Sequence, residues 1–218
     1  MQNSHTLLAV LAWIAAIAGL IWALNIGAIK PIDPAVMLTA GEVCETPGCA
    51  QPRDIELPHH FPARHAAGHE TRHLRFDLSL PKIPDSLQAL YLPSYADEVF
   101  VRINGAQVYG NGLTDRQPAR MWNIPVLATV PQSLLQPGQN RIEITLYGYP
   151  QEGLVLEPFH FGEAQLLTPH YNWRFITSAG MARFNLGFMT IAGIMLGIIW
   201  FARRSEPIYA LLATSCGF

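Results

Sequence analysis

The sequence predicts a membrane protein with a mostly β exported domain: a jelly-roll β-sandwich between two transmembrane helices, followed by a truncated third helix. Three observations predict it. Two long runs carry no charge at all. The whole chain is 50% hydrophobic and 14% charged, against roughly 25% charged in ordinary globular domains. The stretch between the runs alternates apolar and polar residues with a period of two. A formal net charge of −2 leaves no basic footprint, which excludes nucleic acid as a main partner. Three cysteines in 218 residues exclude a disulfide-built scaffold.

Residues 1–30 supply the first predicted span. Between Leu7 and Ile29 lie 23 residues whose one polar side chain is Asn25, and about 20 apolar residues suffice to cross a bilayer. No Lys or Arg precedes this run, and it is longer than a signal-peptide core, so an uncleaved anchor is expected. Residues 31–70 are rich in Pro, Gly and Ala with no sustained period, and read as an irregular lead-in.

Residues 71–170 read as the exported sandwich. Candidate strands are His73–Leu80, Leu87–Leu92, Glu98–Ile103, Ala106–Tyr109, Pro125–Val130, Arg141–Tyr147 and Phe159–Leu167. In VFVRI, Val99, Val101 and Ile103 share one face, and Asn104-Gly105 then supplies the two positive-φ positions of a type I′ turn, so a hairpin with AQVYG is expected. RIEITLY alternates in the same way after a Pro-Gly turn. Seven or eight short strands with turn signals between them imply two packed sheets.

Residues 171–183 read as a connector. Phe184 to Ala202, 19 residues without charge, make the second predicted span, and 203–207 a cytoplasmic turn marked by Arg203 and Arg204. The apolar run at 208–218 stops after 11 residues, about half a crossing, and reads as the start of a third helix. The basic pair inside places residues 31–182 outside, in the periplasm of a bacterial inner membrane. Gly193 and Gly197 form a GxxxG that suits close helix packing, with another subunit of a homodimer or with the first span.

The segments YLPSYADEVFVRINGAQVYGNG, MWNIPVLATVPQSLLQPGQNRIEITLYG, GLVLEPFHFGEAQLLTPHYNWR and ARRSEPIYALLA together resemble the N-terminal region of bacterial seven-transmembrane receptors with diverse intracellular signalling modules. The stretch ELPHHFPARHAAGHETRHLRFDLSLP is similar to the galactose-binding-like β-sandwich of sugar-processing enzymes. The first resemblance implies a sensory, ligand-binding region of a histidine kinase or diguanylate cyclase, with the output module outside this chain. The second implies a membrane-tethered carbohydrate-binding module or accessory domain. A structural envelope protein without a ligand is a third reading. The sensory reading expects a chain that is itself no enzyme and has no cofactor, the second also admits a sugar-processing enzyme held at the membrane, and the lipid bilayer is the expected partner.

Residue clusters refine these readings. Cys44 and Cys49 flank a Pro-Gly turn in a segment expected outside the cell, which favours a disulfide over two free thiols. Five histidines crowd into 59–73; His65, His69 and His73 have the spacing of a helical metal face, but Pro58, Pro62 and the strand at His73 oppose a helix, so a solvated loop is expected and no metal. Arg116, Arg120 and Trp122 lie in a long loop after the hairpin. Charge and stacking there suit an anionic or sugar ligand, while a packed Trp with exposed arginines is the competing reading. Asp97 and Glu157 are scattered carboxylates, and no nucleophile elbow, phosphate loop or zinc-protease motif occurs.

Overall fold

The computed structural model describes residues 29–44, 51–112, 121 and 124–215. Their strands form two packed antiparallel layers. One layer has six strands: β2 (Ala40–Cys44), β3 (Arg53–Glu56), β5 (Glu70–Leu80), β7 (Glu98–Ile103), β8 (Ala106–Gly110) and β10 (Gly138–Gly148), in the order β3-β2-β5-β10-β7-β8. The other has β1 (Val36–Leu38), β6 (Gln88–Leu92), β9 (Val126–Val130) and β12 (Phe159–Glu163), in the order β1-β12-β6-β9. β4 (His59–Phe61) and β11 (Leu154–Leu156) pair with each other as a two-stranded ribbon whose Phe61, Leu154 and Leu156 pack into the same core.

Alternation decides what faces inward. Val99, Val101 and Ile103 of β7 and Ile142, Ile144 and Leu146 of β10 are fully buried, while Arg102 is exposed and Glu143 half-buried on the opposite face. From the four-stranded layer come Leu90, Leu92, Val126, Val130, Phe159 and Phe161. Phe76 of β5 meets Phe159 edge to face across the layers, with ring centroids 4.9 Å apart at 88°. The outer face of the six-stranded layer carries a cross-strand row of Asp54, Glu42, Arg75, Glu143 and Arg102. Within it the Arg75 guanidinium donates to Glu42 Oε2 at 2.8 and 2.5 Å.

The β7–β8 hairpin turns on Asn104 (φ 49°) and Gly105 (φ 85°), the two positive-φ positions that the Asn-Gly pair suits. Asn104 also ties the hairpin to β10: its side-chain amide donates to Leu134 O and Asn140 Oδ1, and its Oδ1 accepts from the Arg141 N–H.

Three expectations need correction. Residues 31–70 are not irregular throughout, since the short strands β1 to β4 lie in them. The strand expected over Phe159–Leu167 ends at Glu163, and α1 (Ala164–Phe175) starts at once. Ala164, Leu167 and Tyr171, at helical spacing, lie against Ala89, Tyr91 and Leu127 of the four-stranded layer, so burial of that outer face favours the helix over a longer strand.

The third correction concerns the membrane. A π-helical turn (Ile176–Gly180) joins α1 to α2 (Met181–Ala202), and α3 (Ile208–Ser215) follows. Among the described residues no helix is long and apolar enough to cross a membrane. Helix α2 has 22 residues, of which 184–202 carry no charge, and α3 has eight. The multi-pass membrane class, the inner-membrane and periplasmic placement and the sensor keywords derived from them are therefore not retained. Of the first predicted span, residues 7–28 lie outside the described residues.

Candidate functional site

The four-stranded layer has an unusual outer face. Because Phe159 and Phe161 point into the core, His160 and Gly162 must point the other way. On an open sheet that face would meet water. Here the incoming segment 29–35 and α1 cover it, and Ile32, Ala89, Tyr91, Ala164 and Leu167 form a second, smaller core. Gly162 permits the close approach, since a Cβ at this position would lie 2.8 Å from the Ala35 Cβ.

Where the cover stops, a cavity of about 220 Å³ opens between the incoming segment and the last turns of α1. Its walls include Lys30 and Ile32 from the segment, Tyr91 and His160 from the sheet, and His170, Trp173 and Arg174 from α1. The positions 170, 173 and 174 are one helical turn apart, so α1 presents imidazole, indole and guanidinium together. Trp173 is 51% exposed, and the Arg174 Nε donates to the Pro93 carbonyl at 3.3 Å.

His160 is 1% exposed and stacks on its cross-strand neighbour Tyr91, with ring centroids 6.0 Å apart at 25°. Neither ring nitrogen has a hydrogen-bond partner among the described residues. Burial pushes the imidazole below its usual pKa. The Lys30 carbonyl beside the ring pulls the other way, outside hydrogen-bond geometry, and His170 adds to the lowering. The Tyr91 hydroxyl donates to the His170 carbonyl at 3.4 Å, and its pKa is pushed up to about 12, mainly by burial. A neutral, buried imidazole of this kind offers one donor and one acceptor to whatever enters.

A broader groove of about 620 Å³ crosses the outer face of the six-stranded layer beside Glu42, Asp54, Arg75 and Asp77. Its charged groups are exposed or engaged in the cross-strand row, and among the described residues it holds no buried side-chain group without a hydrogen-bond partner.

The residues singled out from sequence fall elsewhere. Arg116, Arg120 and Trp122 lie outside the described residues, as does Cys49. Cys44 is disulfide-bonded. Gly193 and Gly197 lie in α2, where a Cβ at Gly197 would meet open space. The histidines of 59–73 are dispersed: His59 packs on Phe61, His69 on Tyr147 and Tyr149, and His73 Nδ1 lies 3.2 Å from Thr145 Oγ1. Among the described residues no three metal-capable side chains converge. Asp97 is buried, and its Oδ2 accepts from the Tyr149 N–H at 3.3 Å. Sequence reasoning passed over His160, His170 and Trp173, although the spacing H-x-x-W-R in YNWR and its preceding His170 was there to be read as one helical face.

No family model and no curated protein matches the sequence. Among solved structures, the crystal structure of Ruminococcus gnavus beta-glucuronidase is similar at 15% identity and a TM-score of 0.40, covering 55% of this chain and 23% of that chain. The same enzyme in complex with D-glucaro 1,5-lactone gives the same values, and its apo structure a TM-score of 0.41. This chain thus spans less than a quarter of the length of those neighbours.

Proposed function

We propose that the chain is a non-catalytic binding module for a small carbohydrate-type ligand, an accessory domain of the kind that serves sugar-processing enzymes. The observation that carries this reading is the half-exposed Trp173 ring in the same cavity as the buried His160 imidazole. A sugar ring has an apolar C–H face and a hydroxyl edge. Aromatic faces with a few convergent polar groups suit both. The similarity of residues 56–81 to galactose-binding-like sandwiches agrees with this reading. Binding without cleavage is expected because no Asp or Glu among the described residues lines the cavity, whereas glycoside hydrolysis commonly needs two carboxyl groups about 5–9.5 Å apart.

Calorimetric titration of the full-length chain with glucose, galactose and glucuronate tests the reading. Saturable binding of at least one is expected, weakened about tenfold in Trp173→Ala, with no release of nitrophenol from nitrophenyl glycosides above the buffer rate. Absence of saturable binding by all three, or measurable hydrolysis, would overturn it.

A further inference from the structure

We infer that an exposed apolar stripe along α2 is the docking surface for residues 7–28 of the same chain. Phe184, Phe188, Ile191, Met195 and Ile198 follow one another at steps of four, three, four and three, so all five share one face of the helix. Each is between 59% and 71% exposed among the described residues. A contiguous apolar patch of this kind is rare on a surface that meets only water, and marks a place where another apolar segment packs. Gly187 lies on the same face, three residues after Phe184, and a Cβ there would meet open space. An incoming side chain can therefore reach the α2 backbone at that point, as a knob enters a hole.

The occupant follows from where the chain enters. Ile29 and Lys30 line one cavity with Trp173 and Arg174, so the described chain begins beside the last turns of α1. From Arg174 the backbone runs through the π-helical turn to Met181, the first residue of α2, a step of about 10 Å at helical rise. Residues 7–28 are thus tethered near the foot of α2. They carry no charge, and Asn25 is their one polar side chain, which suits a stripe that carries no charge either. Length agrees as well. Helix α2 has 22 residues and is about 33 Å long, and the segment 7–28 can run its full length even at the rise of 1.5 Å per residue of a helix. A second copy offers a stripe of the same chemistry, but it must compete with a segment whose tether gives an effective concentration on the order of millimolar. The intramolecular partner has the advantage at ordinary protein concentrations.

Photo-crosslinking of the full-length chain tests this docking without any ligand in the cavity. The photoreactive residue p-benzoylphenylalanine replaces Phe188 in one variant and Met195 in a second, both exposed positions, and the circular dichroism of each variant is matched to that of the parent chain. After irradiation and proteolysis, both variants are expected to yield crosslinks from α2 to peptides of 7–28, in a product of monomer mass. A product of dimer mass, joining α2 to any peptide of a second copy, would overturn the inference and make the stripe a face between copies. Crosslinks to neither, in variants whose dichroism matches the parent, would overturn it as well and leave the stripe to a partner outside this chain.

Discussion

His160 is the residue on which the site turns, and its protonation makes a stability prediction. Burial lowers the pKa of His160, and of His59 and His73, below the ordinary value of 6.5. Beside His160, His170 adds to the lowering and the Lys30 carbonyl opposes it. In the unfolded chain these three histidines take up protons as the pH falls through about 6.5, while the native chain still holds them neutral. The unfolded state then binds more protons, so stability falls with falling pH in that window. The denaturant midpoint should be lower at about pH 5.5 than at about pH 7.5, and His160→Gln should flatten part of that slope. A midpoint that rises toward acid would contradict the burial argument. Gly162→Ala tests the cover over the same residue. Its Cβ must push the Ala35 side chain away, at a cost of about 1–3 kcal/mol in chemical unfolding, and cost-free substitution would show that segment 29–35 is loosely held.

At the scale of elements, the central strand β10 and the charged row outside it make opposite predictions. Ile144 is fully buried between both layers, so Ile144→Ala should cost about 2–5 kcal/mol. Arg75 and Glu42 keep 22% and 33% of their side chains exposed, so Arg75→Met should cost less than about 1 kcal/mol. The reverse ranking in urea unfolding would mean that the sheet is held by its surface charges. The same contrast explains which elements were legible in the sequence. β7, β8 and β10 are half-buried, so their period of two is printed in VFVRI and RIEITLY, and Asn104-Gly105 names its own turn. β1 to β4 have three to five residues each, too short for a period to declare itself among prolines and glycines. Helix α1 hides for a different reason. Pro169 sits inside it, and its buried residues Ala164 and Leu167 follow a strand without any intervening turn signal. The cavity was illegible with it, since His170, Trp173 and Arg174 converge only once α1 is helical.

For the molecule as a whole, the long apolar runs announced a membrane protein, but hydropathy alone does not fix what a helix does. Phe188, Ile191, Ile194 and Ile198 of α2 are exposed among the described residues, and no helix there meets the length and apolarity of a crossing. What the fold does define is a two-layer sandwich whose incoming segment and outgoing helix meet at one cavity. The most direct test of that cavity as a binding site is histidine-ring nitrogen NMR of the full-length chain during addition of sodium glucuronate. The account predicts that the His160 and His170 signals move together and saturate, while those of His59, His69 and His73, which line no part of the cavity, stay where they are. Shifts confined to the His59–His73 group, or no shift in any ring while calorimetry reports binding, would place the ligand elsewhere and contradict it.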